Sequence, residues 1–123
     1  TRSAVNSEKL DLAETIKATF ELLGAEVSFG GSYPGWAPKP TAAIVKLMST
    51  LYKQRYNSDA DVNACHAGLE CGIIGRNYPG MEMISFGPNI LGAHSPDEKV
   101  QISSVQKYWP YLLETLKRMP AKK

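Results

Sequence analysis

The sequence predicts a mixed α/β fold of ordinary single-domain size. Apolar residues recur at helical spacing in three long segments, shorter apolar runs between them look like strands, and glycine- and proline-rich turns separate the segments. With 123 residues, 43% of them apolar and 21% charged, the composition is that of a folded protein. Helices that alternate with strands along the chain are typical of the α/β class.

The first helix is predicted to begin near Asn6 or Ser7, because either side chain can cap a helix. Gly24 is predicted to end it. Residues 25–29 alternate apolar and polar side chains and therefore predict a strand. The predicted apolar face of the helix consists of Leu12, Ile16, Phe20 and Leu23.

The segment from Gly30 to Pro40 is predicted to be irregular. It holds three glycines and three prolines, which exclude a helix or a strand. Tyr33 and Trp36 supply apolar anchors within it. We therefore expect an ordered crossing between two subdomains.

The second helix is predicted to begin near Thr41 and to end at residues 57–59, whose Asn-Ser-Asp sequence is typical of a helix end. After it, the sequence predicts a short strand at 61–65, a short helix at 68–74 and another strand at 81–86. The predicted buried stripe of the second helix consists of Ile44, Leu47, Met48, Leu51 and Tyr52.

The last helix has the clearest helical pattern, with Ser103 or Ser104 as the predicted cap. Pro110 lies within the pattern and is expected to kink the helix or to mark a late start. Its apolar positions are Val105, Tyr108, Trp109, Leu112, Leu113, Leu116 and Met119.

Composition and charge argue against two classes of partner. The net charge is only +2 and the basic residues are scattered, whereas a nucleic-acid binder of this size usually shows a dense basic stripe. The apolar runs fall well short of 18 residues, so no membrane span is expected. Two cysteines are too few for a disulfide scaffold and fit a reducing compartment. A zinc site built on Cys65, His66 and Cys71 is disfavoured because the spacing matches no common zinc motif.

The turn from Gly92 to Glu98 is the strongest candidate for chemistry. It places His94 beside a proline and two carboxylates, and histidine is the commonest metal ligand among side chains. The residues alone favour a turn histidine that binds a carbonyl group, and Ser95 to Glu98 also fits a helix-capping box. A catalytic zinc needs about three protein ligands, which this chain does not supply.

The residues suggest two further chemistries and favour neither. Ser95 lies next to His94, but adjacent side chains in a turn often diverge, and the Gly-x-Ser-x-Gly signature of many serine hydrolases is missing. Arg2 could bind a carboxylate with two parallel hydrogen bonds, although an ordinary surface arginine is the more frequent case.

Several spaced motifs together resemble one enzyme family. They are His66 to Gly72 (HAGLECG), Ser85 to Pro88 (SFGP) and Gly92 to Glu98 (GAHSPDE), with further likeness at residues 2–7 and 24–36. In this order they are similar to the C-terminal part of the aminoacyl-histidine dipeptidases, or Xaa-His dipeptidases. The resemblance covers nearly the whole chain, from Thr1 to about Leu116.

The resemblance implies a two-zinc peptidase domain with a smaller lid domain inserted in it. Residues 1–33 would be the end of the inserted lid or dimerisation domain, and residues 34–123 the C-terminal part of the catalytic domain. His94 would be a zinc ligand, and Arg2 would bind the substrate carboxylate. Gly68 and Glu70 would line the substrate cleft.

The function implied is hydrolysis of Xaa-His and other short dipeptides by a metal-activated water in a cytoplasmic parent enzyme. Each active site of the parent would hold two zinc ions, of which this chain supplies at most one ligand. No catalytic residue is assigned here, so the chain alone is expected to be inactive. The alternative is a non-catalytic binding or assembly module that retains the fold. Apolar faces left uncovered in a fragment promote association, so a homodimer is expected.

Overall fold

The computed structural model describes residues 1–65 and 70–119, which form four helices and one two-stranded sheet. The predicted mixed α/β class is confirmed. The chain divides into two compact units. The first comprises residues 1–39 and 62–82, and the second comprises residues 40–61 and 83–123. The assignment of residues 1–33 to a lid and 34–123 to a peptidase domain stays a prediction.

Helix α1 (Asn6–Glu21) begins where the sequence predicted, but its cap differs. Val5 occupies the N-cap position and makes no side-chain capping bond. The Asn6 side chain is engaged elsewhere, because its Oδ1 accepts a hydrogen bond from the Gly35 backbone N–H at 2.7 Å. Gly24 has φ +78° just after the helix, which confirms the predicted end.

The predicted apolar face of α1 is not buried within the first unit. Leu12, Ile16 and Phe20 are between 41% and 53% exposed, and α1 has no buried residue. A helical apolar pattern therefore identifies the helix correctly without identifying what covers it.

Two glycines let the segments of the first unit approach each other closely. A Cβ placed on Gly35 would lie 2.5 Å from the Ala4 carbonyl oxygen, and one on Gly72 would lie 2.5 Å from the Pro34 carbonyl oxygen. Gly72 belongs to α3 (Glu70–Asn77), so this contact sets how closely the helix lies against the Pro/Gly segment.

Gly72→Ala is expected to destabilise the chain by about 1–3 kcal/mol, because backbone atoms must move to admit the new methyl group. The sign of the change in stability is informative, since replacing glycine by alanine within a helix otherwise stabilises a protein by about 1 kcal/mol. Urea denaturation followed by circular dichroism measures the change. Gly30→Ala controls for the added methyl group alone, because Gly30 lies in the irregular segment and a Cβ there meets no atom within 4 Å. Equal effects of the two substitutions would contradict the close approach.

The second unit is built on α2 (Ala43–Tyr56) packed against α4 (Ile102–Arg118). Met48 is 2% exposed and forms the core with Leu51 and Tyr111. The predicted stripe of α2 is confirmed in this core, with Val45 as a buried member that the prediction omitted. Partly buried side chains that surround the core are Ile44, Leu47, Tyr52, Tyr56 and Ile84.

A tyrosine cluster joins the two helices above this core. The Tyr111 hydroxyl donates to the Met48 carbonyl oxygen at 2.8 Å, and burial raises the pKa of Tyr111 to about 12. The phenol therefore stays protonated as a hydrogen-bond donor even in alkaline solution, where an ordinary tyrosine begins to ionise. The Lys107 ammonium lies 4.4 Å from the Tyr56 ring centre and donates to the Tyr52 hydroxyl at 2.9 Å.

The three predicted strands are wrong. Residues 25–29, 61–65 and 81–86 are irregular, and the strands in the described part of the chain are β1 (Ile90–Leu91) and β2 (Lys99–Val100). They pair antiparallel, with Ile90 opposite Val100. A short apolar run has no local property that separates a strand from an extended segment packed against a helix, since only a hydrogen-bonding partner makes the strand.

At the ends of the other helices, some local sequence signals predicted the boundary correctly and others did not. Asn57 has φ +50° at the end of α2, which confirms the predicted stop. Helix α4 instead begins after Gln101, so the prediction of Ser103 or Ser104 as its N-cap is wrong. The Ser104 hydroxyl donates to the Gln101 carbonyl oxygen at 2.6 Å. Pro110 lies within α4, and the helix continues on both sides of it, so Pro110 does not mark a late start.

Candidate functional site

His94 lies in the turn that connects β1 to β2. Its φ is +66°, in the left-handed region that residues other than glycine and asparagine seldom adopt. The whole turn is exposed. Unusual backbone angles of this kind persist where the surrounding structure holds them and are frequent at binding sites.

Several hydrogen bonds hold the backbone around His94, including one from the Ser95 N–H to the Gly92 carbonyl oxygen at 3.1 Å. The His94 N–H donates to Glu98 Oε2 at 2.9 Å. The Ser95 hydroxyl donates to the Gly92 carbonyl oxygen at 2.7 Å, and the Glu98 N–H donates to the Ser95 carbonyl oxygen at 3.1 Å. Gly92 itself has φ +64°. The turn is thus fixed by Ser95, which bonds back to Gly92 across His94, and by Glu98, which bonds to His94 itself.

The alternative of a helix-capping box at Ser95 to Glu98 is not what the structure shows. The segment is a turn between two strands, and no helix starts there. The Glu98 carboxylate nevertheless reaches back to a backbone N–H, which is the same interaction that such a box uses. Here that interaction fixes the turn.

A second network anchors the hairpin to the start of α4. The Asn89 N–H donates to the Ser104 hydroxyl at 2.9 Å, and the Gln101 N–H donates to the Asn89 carbonyl oxygen at 3.0 Å. The Asn89 side chain also donates to Gln101 Oε1 at 3.0 Å. Sequence analysis missed these positioning residues, because their pairing joins positions that are 12 and 15 residues apart. The result is a short hairpin that is fixed to the N-terminal end of α4 and carries His94 in its turn.

The predicted substrate-binding residues belong to the first unit. Arg2 is exposed and precedes Ser3, whose hydroxyl donates to Glu8 Oε2 at 2.8 Å. Glu70 is exposed and begins α3. Its negative charge adds to burial in raising the pKa of the Cys71 thiol. Gly68 lies outside the described residues.

The donor set for a metal is incomplete in the described part of the chain. Among residues 1–65 and 70–119, no group of three or more His, Cys, Asp and Glu side chains is placed to hold a metal ion. Cys65 and Cys71 are free thiols, and His66 lies outside the described residues. The role of His94 as a metal ligand stays a prediction.

The arrangement of the Lys107, Tyr52 and Tyr56 side chains was also missed by sequence reasoning. Tyr52 and Tyr56 are four residues apart on α2, a spacing that places two side chains on the same helix face and could have indicated the pair. Lys107 comes from α4, and only the packing of the two helices brings it over both rings. We assign this cluster to the stability of the unit.

The described helices include none that is both long and apolar enough to cross a membrane.

Comparison with known proteins gives one informative match. No family model matches the chain. Over 121 residues, or 98% of its length, the chain is 41% identical to a protein named cytosol non-specific dipeptidase from Escherichia coli (strain K12). The matched region is 25% of that relative, so the chain spans about a quarter of the relative's length. This similarity confirms the resemblance to the dipeptidases that the spaced motifs indicated.

Proposed function

Because the chain resembles a dipeptidase along 98% of its length, we propose that it is the C-terminal part of a metal-dependent dipeptidase. The parent enzyme would be cytoplasmic and would hydrolyse Xaa-His and other short dipeptides. The observation that carries this proposal is the identity of 41% over 121 residues, which spans both compact units. The position of the match at the C-terminal end of such an enzyme rests on the motifs around His66 and His94.

His94 is the residue that we propose as a ligand of one of two zinc ions. Its backbone is held by Glu98 and by the turn around Gly92, which leaves the ring as the variable part of the residue. When bound, zinc would polarise the scissile carbonyl and lower the pKa of a water molecule.

Arg2, Glu70 and Gly68 are the residues that we propose for substrate binding. An exposed guanidinium can bind the terminal carboxylate of a short peptide with two parallel hydrogen bonds, which favours substrates with a free end. Glu70 opens α3 and is exposed, so its carboxylate is free to meet a substrate, and its place in the cleft rests on the resemblance. The proposal for Gly68 rests on the resemblance alone.

The second candidate is a binding or assembly module without catalysis. The exposed apolar residues of α4 favour this reading, since a folded unit with a large uncovered apolar face is suited to association. The two candidates differ in whether a complete enzyme containing this chain cleaves peptide bonds.

A chimeric enzyme tests the proposed function. In this chimera the chain replaces the matched 121 residues of the Escherichia coli dipeptidase. We expect the chimera to release histidine from carnosine and to cleave dipeptides without histidine, and the isolated chain with added zinc to do neither. Amino-acid release measured by chromatography gives both rates, and the relative without the matched region is the control.

Each outcome of this assay discriminates between the candidates. Turnover by the isolated chain would refute the expectation that it lacks essential ligands. A folded chimera that cleaves no dipeptide would refute the dipeptidase proposal and would support the assembly module.

A further inference from the structure

Helix α4 carries two apolar faces, and α2 covers one of them. On the covered face, Tyr111 and Thr115 are only 8% and 4% exposed. We call the other face the outer stripe. It consists of Ile102, Val105, Trp109, Leu113 and Leu116.

The outer stripe is continuous and free of charge. Its members are spaced by three, four, four and three residues, which at about 100° per residue places them within an arc of about 80°. Ile102 is 73% exposed, Leu116 60% and Trp109 56%. The polar side chains of α4, such as Gln106 and Lys117, fall outside this arc.

An apolar surface of this extent is expected to be buried against other polypeptide in the intact protein. Helices that are apolar on one stripe lie at a protein surface, whereas helices that are apolar around most of their circumference are buried. The two faces of α4 together exceed what a surface helix needs for packing against α2. Contiguous exposed apolar patches mark sites of interaction.

We propose that the outer stripe is the surface on which the remaining three quarters of a dipeptidase-length polypeptide packs. This inference rests on the proposed function, and it adds where the assembly occurs. The relative is about four times as long as the matched region, so enough polypeptide exists in such an enzyme to cover the stripe. A cover within the same polypeptide acts at an effective concentration in the millimolar range, which a second copy reaches only at high protein concentration.

Cysteine labelling at single sites measures whether the stripe becomes covered. Leu113→Cys places a thiol on the stripe, and Ser103→Cys places one on an exposed polar position of the same helix, about 80° beyond the edge of the stripe. Maleimide reacts with each, and peptide mapping by mass spectrometry separates them from Cys65 and Cys71. In the isolated chain we expect the two introduced thiols to react at similar rates.

In the chimera we expect Leu113→Cys to react at least about tenfold more slowly than in the isolated chain, because a covered site reacts only after local opening. Ser103→Cys should keep its rate, and urea should restore fast labelling of both. Equal rates at position 113 in the folded chimera and the isolated chain would overturn the inference. A chimera in which both thiols react as fast as in urea would also overturn the inference, because the rest of the polypeptide would then not pack on the outer stripe.

A second measurement distinguishes the proposed cover from a second copy. Light scattering of the isolated chain, with and without Trp109→Asp, reports a dimer formed through the stripe. A concentration-dependent dimer that Trp109→Asp dissolves, together with fast labelling in the chimera, would assign the stripe to self-association instead. If Leu113→Cys labels slowly in a chimera that cleaves no dipeptide, the inference about the outer stripe stands and the proposed function is refuted.

Discussion

Met48→Ala is expected to lower the free energy of unfolding of the second unit by about 2–5 kcal/mol. Met48 is 2% exposed and lies at the centre of the contact between α2 and α4, where few other side chains are buried. Removing its side chain leaves a cavity that two helices held by so small a core can fill only by shifting. Because folded domains are stable by about 5–15 kcal/mol, a loss of this size is a large fraction of the total.

Urea denaturation followed by far-ultraviolet circular dichroism measures this effect, and the midpoint should fall. Met119→Ala is the matched control, since Met119 has the same side chain but is 45% exposed at the end of α4. Its substitution should change the free energy of unfolding by less than about 0.5 kcal/mol. Similar midpoints for the two variants would show that α2 and α4 are not held by this core.

His94→Gly is expected to separate stability from function. Glycine adopts the φ of +66° without the steric cost that a side chain carries, about 1–2 kcal/mol, so the hairpin should be as stable as before or slightly more stable. The imidazole is lost, however. In the chimera we expect zinc affinity and dipeptide hydrolysis each to fall by more than about 100-fold.

Zinc content by mass spectrometry, dipeptide hydrolysis and urea denaturation are measured on the same preparation. Lys99→Gln is the control, because Lys99 is an exposed residue of the same hairpin and pairs with Leu91. It should leave all three quantities close to those of the unsubstituted chimera. Retention of zinc and activity in His94→Gly would remove the metal-ligand role and leave the histidine as a structural feature of the turn.

This combination of outcomes is diagnostic because a purely structural histidine predicts the opposite pattern. If His94 served only to bind a carbonyl group in the turn, its removal would cost stability and leave zinc binding unchanged. A residue that strains its backbone and yet supplies a ligand should gain stability and lose function when replaced by glycine.

The homodimer expected from the sequence stays a prediction. The exposed faces of α1 and α4 are the kind of surface that the expectation required, with Phe20 and Trp109 each more than half exposed. Whether a second copy or the rest of a longer polypeptide covers them is decided by the labelling and light-scattering measurements.

The sequence by itself determined the long helices, their approximate ends and the resemblance to the dipeptidases. The spacing of Met48 and Leu51 identified the buried side of α2, and Gly24 and Asn57 marked helix ends. These features depend on interactions between residues a few positions apart, which a linear sequence records directly. The identity of 41% to a dipeptidase agrees with the motifs that first indicated the resemblance.

Only the tertiary structure decided the strands, the caps and the surroundings of His94. The strand at 90–91 exists because residues 99–100 pair with it, and the Asn6 side chain leaves the helix cap because the Gly35 N–H lies within reach. Likewise, the helical period gave α4 its apolar residues, while α2 decided which of them are buried. Each of these outcomes depends on a partner distant in sequence, and local propensity carries no information about which partner will be there.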